Sequence, residues 1–191
     1  MSKQLDRLFT NYPFEKLTDF QQEALSFILA KLADSTIQDL RQQAYTVATI
    51  KHETGDTYRP IKEYGSEQYL RSKAYFPFVG RGYCQITWKD NYKRFGDLLK
   101  IDLLTKPELA LDPDVSWRIT ELGMTKGLFT GKKLDDYFNN EVSNWIQARR
   151  IINRLDRAAL IADYATRIYE VITVIDDIPE PRGFDEGGQP S

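Results

Sequence analysis

The chain has 191 residues, 41% hydrophobic and 28% charged, with 26 basic against 28 acidic side chains and a formal charge of −2. That composition excludes disorder throughout and offers no bulk positive charge to drive the chain onto nucleic acid; a single domain of this length removes roughly 70% of its unfolded surface from water. One cysteine, Cys84, excludes an internal disulfide and a cysteine-cluster zinc site, while one histidine, His52, excludes a histidine-rich metal site and leaves a Ser-His-Asp triad possible only through itself.

The first residues, MSKQLDRLFTNYPFEKL, contain no apolar run of signal-peptide length, and no later segment reaches the ~18 apolar residues of a membrane span. The expectation is a monomer made in the cytoplasm, with no stable membrane association. Residues 18–33 predict a helix: Phe20, Ala24, Phe27, Ile28 and Leu32 share one face, with Thr18 as N-cap. Residues 37–53 predict a second, with Ile37, Leu40, Ala44, Val47 and Ala48 on one face and Gly55 as a stop. Residues 56–88 mix Gly, Pro and aromatics without a sustained period and predict loops and short strands. A short helix follows from Asn91. Then comes WRITELGMTKGLF, with Trp117, Ile119 and Leu122 as core candidates and Gly123 and Gly127 as interruptions; residues 133–138 predict a short helical turn. The strongest helical pattern is VSNWIQARRIIN followed by RAALIADYATRIYEVITVI, whose Ala158, Ile161, Ala162, Ala165, Ile168, Tyr169 and Ile172 mark a core face. The reading is one mainly α domain over residues 1–175 and a flexible acidic tail over 176–191, with a charge of −4 in the tail and +2 in the body. An irregular insertion over about 54–90 is long enough to suggest function.

Carboxylates are the first candidates for chemistry. Glu53 ends a largely apolar helix, where partial burial would suit a general acid; it can equally be an exposed helix-end glutamate. Glu63, in RPIKEYG, is bracketed by Pro60 and Gly65, and Glu67 rivals it as the second carboxylate. Two glutamates across a cleft can divide glycoside hydrolysis, one protonating the leaving oxygen and one activating water. His52 can orient a neighbouring carboxylate or be purely structural; a nucleophilic Cys84–His52 pair is conceivable, but nothing local activates the thiol. In FVGRGYCQITWKDNY, Gly80 and Gly82 flank Arg81. The segment lacks the pattern of a phosphate loop. Gln85, Thr87 and Asn91 offer hydrogen bonds, and Tyr83 and Trp88 offer flat apolar area, a combination suited to a sugar polymer. The aromatics can also be plain core and Arg81 a structural ion-pair partner.

AYTVATIKHETGDTYRPIKEYG, FVGRGYCQITWKDNY, GLFTGKKLDDYF and ARRIINRLDRAALIADYA, in that order, resemble glycoside hydrolase family 19, in particular its bacteriophage endolysin and chitinase-like branch. The resemblance spans about residues 40–172. It implies a lysozyme-like, mainly α fold in which the Gly- and aromatic-rich insertion forms one cleft wall, an inverting mechanism, and no cofactor or metal. By motif it makes Glu53 the general acid, Glu63 the general base and Thr87 the holder of the attacking water. Gln85 and Asn91 match substrate contacts, Arg81 the buried arginine near the acids, and Asn153 an asparagine at the cleft. Where the family commonly has Gly after that asparagine, this chain has Arg154. The implied partner is a peptidoglycan glycan strand, or chitin, and not nucleic acid. The implied activity is bacterial cell lysis, reached through holin-type release or a dedicated export machine. The alternatives are a chitinase or a catalytically inactive saccharide-binding module.

Overall fold

The computed structural model describes residues 3–173. The acidic stretch 176–191 lies outside the described residues. Seven α-helices occur in this range: α1 (Lys3–Thr10), α2 (Asp19–Ala33), α3 (Leu40–Glu53), α4 (Glu67–Arg71), α5 (Lys89–Leu99), α6 (Pro113–Lys126) and α7 (Ala158–Thr173). A two-stranded antiparallel sheet pairs β1 (Ile61–Lys62) with β2 (Arg81–Gly82), Ile61 facing Gly82 and Lys62 facing Arg81. Among the described residues no helix is long and apolar enough to cross a membrane.

The mainly α architecture follows from the helical periodicities, but the details differ. Helix α3 carries more than an apolar stripe: every residue from Gln42 to Lys51 is buried. It is the central helix, packed along α7, whose Ile161, Ala165, Ile168 and Ile172 supply the predicted core face. Ile37 is buried but precedes the helix, which Asp39 caps through its side chain. Thr18 caps α2 as expected, in a reciprocal capping box with Gln21. Phe20, expected on the core face of α2, is 70% exposed and carries the Arg59 guanidinium over its ring at 5.2 Å.

Gly123 does not interrupt α6. It sits inside the helix because a Cβ there would lie 2.1 Å from ring carbons of Phe129; the helix instead ends at Gly127, in the left-handed conformation that glycine tolerates. The periodic segment VSNWIQARRIIN forms only a 3-10 stretch, Gln147–Ile151. The Asn144 side chain accepts the Gln147 amide at 3.1 Å, and Arg157, at φ 56, breaks the chain before α7 begins. Helix α4, inside the stretch read as loop, is a single short run capped by Ser66.

Two apolar clusters result. The larger surrounds α3 and α7. The smaller lies between α5 and α6, with Ile86, Tyr92, Phe95, Leu99, Leu103 and Ile119 buried. The β1–β2 pair and its connecting loop join the end of α3 to the start of α5, so the irregular insertion links the two packed units.

Candidate active site

Glu53 is the last residue of α3, where the buried helix reaches the surface. Its Oε1 accepts a hydrogen bond of 2.5 Å from Nη1 of Arg149. The arginine side chain is 3% exposed and the glutamate 16%. Arg149 is itself oriented, since its Nε donates to the Asp156 carbonyl at 3.0 Å. Among the described residues Oε2 of Glu53 has no hydrogen-bond partner. His52, beside it, is half-buried. Burial holds its imidazole below the ordinary value, with the Glu53 carboxylate acting in the opposite direction.

Glu63 follows β1 and is fixed differently. Its backbone N–H donates to the Gly80 carbonyl at 2.7 Å. Its carboxylate accepts from the Tyr75 hydroxyl at 2.8 Å on Oε1 and from the Gly80 N–H at 3.0 Å on Oε2. The Tyr75 hydroxyl, as donor to this carboxylate, has its pKa pushed up to about 12. Each Glu63 oxygen keeps a further lone pair, so the group can still accept from a water. Glu67 lies on α4, exposed, and pairs with Arg71 at 2.9 Å one turn away. Of the two candidates for the second carboxylate, Glu63 is the one held in a built environment.

Gln85 braces the hairpin that carries Glu63. Both protons of its amide are committed, to the Ile61 carbonyl at 2.8 Å and the Gly82 carbonyl at 2.9 Å. Its Oε1 faces Gly80 so closely that a Cβ there would lie 2.8 Å away. Thr87 donates its hydroxyl proton to the Gln85 carbonyl at 3.0 Å, so towards a water it is an acceptor. Asn91 donates one amide proton to the Thr87 carbonyl at 2.8 Å, keeping its Oδ1 and second proton. Trp88 is 53% exposed and meets Tyr75 edge-on at 5.2 Å. Tyr64, the residue after Glu63, is exposed, and so is Tyr69 on α4, which carries the Lys73 ammonium 3.8 Å from its ring centroid.

One expectation, a stacking role for Tyr83, needs correction, and two readings gain detail. Tyr83 is 2% exposed and belongs to the larger core cluster, so its ring cannot stack on a ligand. Arg81 is buried as expected, next to the Gly80 that bonds Glu63, but among the described residues it pairs with no carboxylate: its Nη1 donates to the carbonyls of Pro77 and Val79 and to Tyr92 Oη. The buried arginine beside an acid is Arg149. Cys84 is buried, in contact with Thr120 Oγ1, and burial pushes its thiol up to about 12, which removes the nucleophile reading. Asn153 is exposed beside the 3-10 stretch; its Oδ1 accepts the Arg154 amide at 2.8 Å.

Arg149 and Tyr75 were missed as site residues. The only signal for Arg149 was a pair of cations, Arg149 and Arg150, between Ala148 and Ile151 in a segment that otherwise repeats like core, and Tyr75 was one aromatic among many.

No family model matches the chain, and no curated protein does. Solved structures do. Chitinase C from Streptomyces griseus HUT6037 is similar at 22% identity and a TM-score of 0.60, covering 90% of this chain and 76% of that one. A bacterial family 19 chitinase is similar at 21% identity and a TM-score of 0.56, covering 91% and 94%. A class IV family 19 chitinase from Zea mays is similar at 17% identity and a TM-score of 0.53, covering 94% and 84%. The chain thus has the fold of the family 19 chitinases.

Proposed function

We propose that the chain is a glycoside hydrolase that cleaves β-1,4-linked N-acetylhexosamine polymers with inversion, and that its polymer is the glycan strand of bacterial peptidoglycan. The observation that carries this reading is the unequal treatment of two glutamates. Glu53 is pinned through one oxygen by a buried arginine, and its other oxygen has no partner among the described residues. Glu63 has both oxygens held by donors. The first arrangement holds the carboxyl group in place and leaves Oε2 to face a leaving oxygen. The second fixes the carboxylate while each oxygen keeps a lone pair for a water.

In that division, Glu53 protonates the glycosidic oxygen as the bond to the anomeric carbon breaks. A water on the opposite face donates one proton to Glu63 and hydrogen-bonds to Thr87 Oγ1 through the other, leaving a lone pair for the anomeric carbon. Water supplies the hydroxyl of the new reducing end, and its proton replaces, in net terms, the one Glu53 gave up. No covalent intermediate forms. Trp88 and Tyr64 offer stacking surface for the sugar faces. Access to the wall would come from holin-type release or dedicated export.

The test is an NMR time course on purified sacculi and on chitin hexasaccharide. The first product should carry the α-anomer at the new reducing end, and Glu53→Gln should lower turnover by about 10²–10⁴. Glu63→Gln, but not Glu67→Gln, should abolish turnover while leaving binding to sacculi intact. A β-anomer as first product would overturn inversion, and binding without any soluble product would point to an inactive saccharide-binding module. The chitinases among the structural neighbours favour chitin as a second reading, and turnover confined to the hexasaccharide would select it.

A further inference from the structure

The 3-10 stretch that sends Arg149 inward to Glu53 has a second, outward side. A cavity of about 310 Å³ opens there, lined by Thr130, Lys132, Arg150, Ile152, Asn153 and Arg154. Three of the six residues are cations and none is a carboxylate. Among the described residues none of the three cations forms an ion pair, whereas neighbouring Lys133 pairs with Asp135. The frame is fixed: Thr130 Oγ1 bonds the Arg150 carbonyl at 2.5 Å and the Ile151 carbonyl at 3.1 Å. Arg150 is partly oriented by its Nε donating to Gln147 Oε1 at 2.7 Å, which leaves its terminal nitrogens facing solvent or ligand.

Gathering like charges around one concavity is unfavourable in the empty protein and attractive to an anion. Arginine's planar fork matches a carboxylate in two parallel hydrogen bonds. A chitin strand carries no charge to meet it. A peptidoglycan strand carries carboxylates on alternate sugars, as the lactyl ether itself or as the acidic peptide attached to it.

We propose that Lys132, Arg150 and Arg154 form an anion-selective subsite that takes a carboxylate borne by the glycan strand and so selects acidic over neutral N-acetylhexosamine polymers. The proposal rests on the glycosidase reading above for its substrate. The two roles share one segment: Arg150 is the residue after Arg149, which holds Glu53.

The experiment compares wild type with Arg154→Gln and with the triple Lys132→Gln, Arg150→Gln, Arg154→Gln variant. Four substrates are used: intact strands with peptide stems, amidase-stripped strands with free lactyl carboxylates, the same stripped strands with carboxyls converted to amides, and neutral N-acetylglucosamine hexamer. Both kcat/KM and direct binding by fluorescence anisotropy are read. The acidic-to-amidated ratio should fall in the triple variant by roughly tenfold, the product of three exposed charge contacts of about two- to threefold each, and the wild-type ratio should shrink as salt is raised. Loss on stripped strands assigns the lactyl carboxylate, and loss only on intact strands assigns the peptide. A wild type that binds acidic and amidated strands equally, or a triple variant with an unchanged ratio, overturns the subsite while leaving the glycosidase reading standing. Absence of turnover on every strand overturns that reading instead, and the anisotropy ratio still decides the subsite. The three side chains are exposed, so the variants should fold; Arg154→Glu, which should lower the ratio further, provides a second check.

Discussion

Replacing Arg149 by methionine removes a guanidinium but keeps most of the apolar stem. The arginine is 3% exposed and holds Glu53 Oε1 at 2.5 Å, and it also supplies the donor for the Asp156 carbonyl. Breaking a fully buried ion pair costs about 3–5 kcal/mol, mostly because the surviving charge has lost its partner. Glu53 is 16% exposed and can recover some hydration, so the lower end, about 3 kcal/mol, is the expectation. For a domain of this size each kcal/mol shifts Tm by about 2–4 °C, giving a fall of roughly 6–12 °C. Glu53→Gln in the same background should restore part of it, with a coupling of about 1–3 kcal/mol in the double-mutant cycle. Turnover should fall by about 10² because an unanchored acid leaves its productive geometry. Arg149→Lys keeps the charge but loses the Nε bond to Asp156 and should be intermediate. Urea denaturation of the four members of the cycle, read with sacculus turnover, checks both parts. Coupling near zero, or an Arg149→Met enzyme with wild-type turnover, would show that Arg149 does not position the acid.

Gly80→Ala should destabilise the chain by about 1–3 kcal/mol and lower turnover. The new Cβ would lie 2.8 Å from Gln85 Oε1 and 3.5 Å from Glu63 Oε2, displacing an amide that makes two hydrogen bonds worth about 1 kcal/mol each; adding Gln85→Ser should recover turnover, and no recovery would refute the steric account. Thr87→Ala should cost about three- to tenfold in turnover, one neutral hydrogen bond, with Thr87→Ser nearly silent; an inactive serine variant would mean that the methyl group matters more than the hydroxyl. Alkali should unfold the protein steeply. Burial raises the phenols of Tyr45, Tyr58 and Tyr83, and pushes Tyr92 up to about 12. Their stabilising contribution is therefore complete below the unfolded tyrosine value near 10 and is lost as pH rises above it, at about 1.4 kcal/mol per pH unit for each phenol, or about 5 together. Urea midpoints that stay level from about pH 9.5 to 11 would contradict that burial.

The sequence reported apolar burial well and polar burial poorly. Helices α2, α3, α6 and α7 were visible because their core residues repeat at helical spacing, a signal that depends only on which side of a helix meets water. The same signal misled in VSNWIQARRIIN: Ile146, Ile151 and Ile152 keep the period, yet Asn144 and Arg149 draw the backbone into a tighter turn through their own hydrogen bonds. Glu53 and Glu63 were found through motif and position, whereas the groups that hold them were not. Arg149 lies 96 residues from Glu53 and Tyr75 12 from Glu63, and neither separation corresponds to a helix or strand period. The partners of Arg81 were hidden for the same reason. A buried arginine was expected near the acids, and two among the described residues are buried, Arg81 and Arg149. A local motif can say that an arginine is held, but what holds it is decided by chain crossings. Backbone carbonyls and a phenol hold Arg81, while a carboxylate from the end of the central helix holds Arg149. Electrostatic roles in this fold are therefore assigned by the tertiary pairing of α3 with the segment before α7, which places a charge beside Glu53 that no spacing within either segment specifies.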